Sequence, residues 1–181
     1  MSDSAAATQA SSVAPTPTLP TSPEQLLARL SALGISVQNH AHEAVFTVEE
    51  AKALRGELQG GHIKNLFLRN KKEEMWLVVV EEDKRVDLKA LAEKLNAGKL
   101  SFGSPDRLLR YLGVLPGAVT PFGIINDKDR KVKVVLDRDL LAMDPVNAHP
   151  LVNTMTTAIS AKDLVKFLEA EGHSPDIVQI G

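Results

Sequence analysis

Two strand-like runs, Gly61 to Arg69 and Met75 to Glu81, flank the polar stretch Asn70-Lys71-Lys72-Glu73-Glu74. Runs rich in β-branched and large apolar residues, joined by turn material, predict a hairpin. Strand side chains alternate between faces, so Ile63, Asn65 and Phe67 share one side and Lys64, Leu66 and Leu68 the other. Any fold for this chain must cover both faces of that hairpin. It must also accommodate Lys64, an ammonium at one end of an otherwise apolar row. Such a charge is costly unless it is paired, snorkels to water, or stands at the rim of a pocket for an anionic or carbonyl group.

The 181 residues suffice for one domain with a sizeable core, and 44% apolar and 24% charged residues are ordinary for a globular chain. There is no cysteine. Disulfides, thiol nucleophiles and thiolate metal sites are therefore excluded, which suits a reducing cytoplasmic setting. The net charge of −2 gives no global basic field, so a nucleic acid would have to be held by a local patch. No apolar run approaches the roughly 20 residues that span a bilayer, and no secretory signal pattern opens the chain, so no membrane partner is expected.

Residues 1–22, rich in Ala, Ser, Thr and Pro, read as a disordered tail, because they cannot bury enough apolar surface to offset ordering. Residues 23–181 read as the folded domain. Thr21-Ser22-Pro23-Glu24 is a helix-start signal, with Leu26, Leu27, Leu30 and Leu33 at helical spacing and Gly34 as the stop. Ile35 to His42 reads as a strand, and Thr47-Val48-Glu49-Glu50 as a capping box opening a helix to about Leu54. Further helices start at Asp87, Ser104 and Ser160. Strands are expected over Val132–Leu136, within Asn153–Ile159 and over Ile177–Ile180, with a helical turn at Asp139–Leu141. Strands and helices mix without regular βαβ alternation. The prediction is a single α+β domain, a mixed β-sheet with packed helices.

Leu115 to Gly123 holds two prolines and two glycines, a loop expected to form neither helix nor regular strand. Its glycines allow a ligand close to the main chain and expose N–H donors, and Thr120 adds a hydroxyl. A surface connection of the same composition is the plainer reading. His149, before Pro150, could bind substrate or exchange protons near neutral pH, or could be an idle loop residue. Asn147 and Asn153 could bond a polar ligand or satisfy loop backbone. His40 and His42 lie two apart on a strand, but no third metal ligand is evident, so no metal is expected. Arg69 with Lys71-Lys72, and Lys128 to Lys131, are basic turns that could touch an RNA backbone or serve solubility. No nucleophile elbow and no phosphate-binding glycine loop is present.

Taken together, Gly61 to Leu68, Phe46 to Glu50, Ser101-Phe102-Gly103-Ser104, Gly117 to Gly123 and Asn147 to Asn153 resemble the YbaK/ProX-type aminoacyl-tRNA editing domains. These are relatives of the insertion domain of bacterial prolyl-tRNA synthetases. The resemblance covers residues 24 to 180 and is greatest to the ProX (PrdX) branch. It implies the fold of those domains and hydrolysis of a mischarged aminoacyl-tRNA ester, without a cofactor. The expected substrate is alanyl-tRNA(Pro), with cysteinyl- or seryl-tRNA, or a non-catalytic tRNA-binding role, as alternatives. Prolyl-tRNA synthetase or an elongation factor are the further partners it suggests. The family lysine falls on Lys64 and the Gly-x-x-x-Pro loop on Gly117 through Pro121. Lys64, Gly117 and Thr120 are the expected catalytic positions, with Asn65, Ala118, Val119, Pro121 and His149 binding substrate.

Overall fold

In the computed structural model, which describes residues 18–44, Thr47, Glu49 and 60–181, the expected hairpin forms with Ile63 opposite Glu81 and Arg69 opposite Met75. In chain order the elements are α1 (Pro23–Ala32), β1 (Gln38–Ala41), β2 (Gly61–Arg69), β3 (Met75–Glu81), α2 (Leu88–Leu95), β4 (Ser101–Phe102), α3 (Pro105–Leu112), β5 (Val132–Asp137), β6 (Val146–Ala148), β7 (Met155–Ile159), α4 (Ala161–Ala170) and β8 (Asp176–Val178). Short 3₁₀ helices cover Pro121–Asn126 and Arg138–Ala142. The described strands form one sheet in the order β1-β7-β6-β2-β3-β5-β8, with β4 added beside β2. The β2–β6, β3–β5 and β5–β8 pairs are parallel and the others antiparallel, so the sheet is mixed, as the sequence predicts.

Alternation along the hairpin sorts the core into two clusters. Phe67, Leu77 and Val79 join the larger one, with Leu26 and Leu30 of α1, Leu108 and Leu112 of α3, and Leu164, Phe167 and Leu168 of α4. Phe122 meets Phe167 edge to face at 5.5 Å between ring centres, a favourable quadrupole arrangement. Leu68, Trp76, Val78 and Val80 point the other way, into a smaller cluster under Leu91 and Ala92 of α2.

Each helix begins where a polar side chain can accept an orphan N–H. Ser22 and Gln25 form a reciprocal capping box on α1, and Asp87, Ser104 and Ser160 cap α2, α3 and α4. Three local readings need revision. The first strand starts at Gln38, because the Ile35 N–H is committed to Leu30 O at 2.9 Å, closing α1 behind left-handed Gly34. The loop after Thr120 winds into a 3₁₀ helix, since Pro121 has the φ of a first helical residue and lacks an N–H to satisfy. The last strand is Asp176–Val178; Ile180 instead donates its N–H to Asp137 Oδ1 and fills the smaller core. The helix expected from Thr47 to about Leu54 rests on residues outside the described ones. Among the described residues, no helix is long and apolar enough to cross a membrane.

Two charged clusters tie distant segments together. Lys84 Nζ lies 2.6 Å from both Asp137 Oδ2 and Asp139 Oδ2 and donates to Ile180 O, fastening the last residues. Burial works against the Lys84 charge, but the two carboxylates outweigh it and raise its pKa. Buried Asp127 accepts from the N–H groups of Lys131 and Val132 and lies 2.8 Å from His173 Nε2, joining the end of α4 to the turn before β5. Burial alone would raise the Asp127 pKa. The bonds from His173 and the two N–H groups prevail and hold it below the usual carboxylate value.

A carboxylate with a depressed folded pKa stabilises the fold above its unfolded value and loses that contribution as pH falls through the folded one. Denaturant unfolding followed from pH 7 downward should therefore show stability dropping below about pH 4. Asp127→Ala should remove that component of the acid sensitivity and cost about 1–3 kcal/mol at neutral pH, because the buried Val132 N–H and His173 ring lose their hydrogen-bond partner.

Candidate functional site

β2 pairs continuously with β3 from Ile63 to Arg69, but its other edge is covered only at its two ends. There, β6 covers Gly61 and His62, and β4 covers Leu68 and Arg69. Between them lies a gap with no strand among the described residues. Backbone parity sets what faces it. His62 O accepts from Glu82 and the Asn70 N–H reaches Glu74 O, so even-numbered residues turn to β3. Gly61 and Phe67 bond the other way, to Pro145 O and the Gly103 N–H, so the main-chain groups of Asn65 are directed into the gap.

The glycine- and proline-rich loop packs on the Asn65 face of β2, beside this opening. Leu115-Pro116-Gly117-Ala118 is a turn closed by Ala118 N–H to Leu115 O at 3.0 Å, with Gly117 at φ +90°. Proline second and a left-handed residue third specify a type II turn, which is why glycine stands here. Fully buried Thr120 then caps the 3₁₀ helix, its Oγ1 accepting from the Phe122 N–H at 3.2 Å. These bonds hold Val119 so that its carbonyl accepts from Asn65 Nδ2 at 3.0 Å. The Ala118 N–H is spent in the turn. No bond to a described residue occupies the N–H groups of Gly117, Val119 or Thr120. Asn65 Oδ1 is buried and unpartnered among the described residues, an acceptor whose desolvation nothing there offsets.

The structure brings Asn65 and the loop together and sets Lys64 apart from them. Asn65 lies on the face of Phe67 and Val79, where Ala118 and Val119 also pack, while Lys64 lies on the face of Leu68 and Val80. Its ammonium donates to the Lys84 carbonyl. This bond keeps the half-buried charge satisfied and leaves two of its N–H donors.

Ala148 lies on the β6 side of the gap, and His149 follows it. Its Nδ1 is 2.8 Å from Met155 O; a carbonyl can only accept, so the proton is on Nδ1 and the Nε2 lone pair is left over. Burial lowers the His149 pKa, the Met155 bond opposes this, and His42, with ring centres 6.1 Å apart, adds to the lowering. His42 does not form a metal pair with His40. Its Nδ1 is 2.7 Å from Glu43 O and its Nε2 2.7 Å from Thr156 Oγ1. Asn147 donates to Gly61 O, bracing β6 against β2.

Residues 42–167 match the model of the aminoacyl-tRNA editing domain, and this span includes the gap, the loop and His149. The chain belongs to this family. The editing domain is 38% identical over 158 residues to the prolyl-tRNA editing protein ProX of Acetoanaerobium sticklandii, covering 87% of this chain and 96% of that one. It is 39% identical over 160 residues to prolyl-tRNA synthetase associated domain-containing protein 1 of Xenopus laevis, covering 86% and 95%. The crystal structure of a putative trans-editing enzyme for prolyl tRNA synthetase superposes with a TM-score of 0.67 at 22% identity, over 91% of this chain and all of that one.

The sequence offered no signal for the Asn65–Val119 contact, since nothing local to either residue says which face of β2 the loop covers. The His42–His149 neighbourhood was equally hidden, because it depends on β1 and β6 both pairing with β7. Two outcomes test this geometry of the editing domain. Gly117→Ala forces a Cβ into a left-handed residue and should cost about 1–2 kcal/mol in denaturant unfolding. A ring-proton NMR titration should find His149 ionising below the ordinary histidine value. Because the folded state prefers the neutral ring, stability from this residue should decline as pH falls below about 6.5 and level off beneath its folded pKa.

Proposed function

We propose that this editing domain is a trans-acting hydrolase that deacylates mischarged tRNA(Pro), with alanyl-tRNA(Pro) as its substrate. The observation that carries the reading is the gap at Asn65. Among the described residues it combines a buried acceptor without a partner, a main chain turned to the opening and a rigid loop with N–H donors to spare. An aminoacyl ester needs these groups: Asn65 Oδ1 accepts from the α-ammonium, and the N–H groups of Gly117, Val119 and Thr120 hold the ester carbonyl. As water attacks the carbonyl carbon, charge develops on that oxygen, and donors fixed in advance stabilise it without reorganisation. The ester C–O bond to the ribose then breaks, a proton passes to the ribose oxygen, and free amino acid and tRNA leave. A ribose hydroxyl of the substrate assists the water. Pro121 and Ala118 keep the loop in place.

We assign Lys64 to the ribose-phosphate end of the tRNA rather than to the ester carbonyl, because its ammonium lies on the opposite face from the loop. His149, neutral at physiological pH, positions substrate through Nε2. The need for such an enzyme follows from size. Alanine is smaller than proline, and a methylene or two is worth only about 1–3 kcal/mol of discrimination, so a second site must remove the error.

Incubation with alanyl-, cysteinyl- and seryl-tRNA(Pro) and with alanyl-tRNA(Ala) tests the proposal. Rapid release of alanine from tRNA(Pro) is expected; faster release of cysteine or serine would reassign the substrate, and no release from any would refute the activity. Lys64→Ala should lower kcat/KM by about 100-fold or more with an unchanged unfolding midpoint, a loss of about 2.7 kcal/mol in transition-state stabilisation.

A further inference from the structure

Phe102 is 62% exposed, although burying such a ring normally stabilises a fold. It is not a loose loop residue. Ser101 and Phe102 pair with Arg69 and Leu68 of β2, and the Gly103 N–H donates to Phe67 O at 2.8 Å. Gly103 permits this approach, for a Cβ there would lie 2.5 Å from the Phe67 ring. An apolar ring is thus held outward by a fixed backbone.

Its surroundings are basic in a chain that is not. Residues 69–74 and 99–110 carry Arg69, Lys71, Lys72, Lys99, Arg107 and Arg110 against Glu73, Glu74 and Asp106, while the whole chain has a net charge of −2. Arg69 and Arg107 share the single carboxylate of Glu73, and Glu74 is engaged by Lys133. The turn itself is rigid. Buried Asn70 accepts from the N–H groups of Lys72 and Glu74 and donates to Ala97 O, which draws the Lys99 segment towards the turn. Phe102 stands opposite Leu68, on the same face as Lys64, four residues back along β2. At strand rise that is about 13 Å.

We propose that Phe102 and the basic hairpin turn form a docking platform for the single-stranded 3′ end of an RNA. A base stacks on the phenyl ring, and neighbouring phosphates meet the Lys71, Lys72 and Lys99 cations. Aromatic rings beside cationic side chains recognise unpaired nucleotides through stacking and phosphate contacts, without reading sequence. The proposal rests on the tRNA reading above and adds where the acceptor end lies as it approaches the gap.

The test uses uncharged RNA, so that its failure is separable from that of the deacylation reading. Fluorescence anisotropy would compare the full chain binding a labelled RNA stem ending in a single-stranded 3′ ACCA with the same stem cut blunt. Phe102→Ala should weaken the overhang complex by about 10-fold and leave the blunt one unchanged, while Phe102→Trp should retain binding. Lys71→Glu with Lys72→Glu should weaken both and flatten the salt dependence. Overhang binding by Phe102→Ala within about twofold of wild type, or equal losses on both RNAs, would overturn the platform. So would an unaltered salt slope in the double lysine variant. Absence of deacylation alongside these shifts would sink the hydrolase and leave the platform standing.

Discussion

The period-two alternation of β2 is the constraint on which the rest of the molecule depends. One strand supplies Phe67 to the larger core and Leu68 to the smaller, so both layers are registered against the same backbone. A slip of one residue would exchange the two faces. It would bring Lys64 under the Gly117 loop and carry Asn65 to the α2 side. The seven-residue register with β3 guards against that slip, and the parallel strands on either side of the hairpin build on it.

The site follows from where this strand is left uncovered. β6 and β4 each pair with only two residues of β2. The span between them leaves main-chain groups turned outward, a condition that sheets ordinarily avoid or cover. Over the Asn65 face beside this span lies a loop rather than a strand, and a loop of proline and glycine keeps donors that a paired strand would consume. The chemistry proposed for the editing domain needs no strong nucleophile of its own, which accords with a chain lacking cysteine and any nucleophile elbow.

Much of the fold was legible because its signals are local. Caps at Ser22, Asp87, Ser104 and Ser160 mark helix starts through bonds made within three residues, and the hairpin declares itself by composition and an intervening polar turn. Alternation also separated Lys64 from Asn65 correctly. What could not be read was non-local. Which face receives the Gly117 loop, whether Thr120 turns inward, and which histidine neighbours His149 depend on packing between segments far apart in the chain. Ile35 shows the limit at short range: β-branched and apolar, it suits a strand, yet closing a helix end claimed its N–H first.

Asn70 has a mechanical consequence. Its side chain belongs to the turn of one hairpin, but its amide nitrogen holds the carbonyl of Ala97, just beyond α2. From Ala97 only three residues lead to β4, which returns to pair with the last residues of β2. Turn, helix end and edge strand thus make a closed ring of contacts, so a load on the tip of the hairpin is shared by the edge strand instead of bending the turn alone.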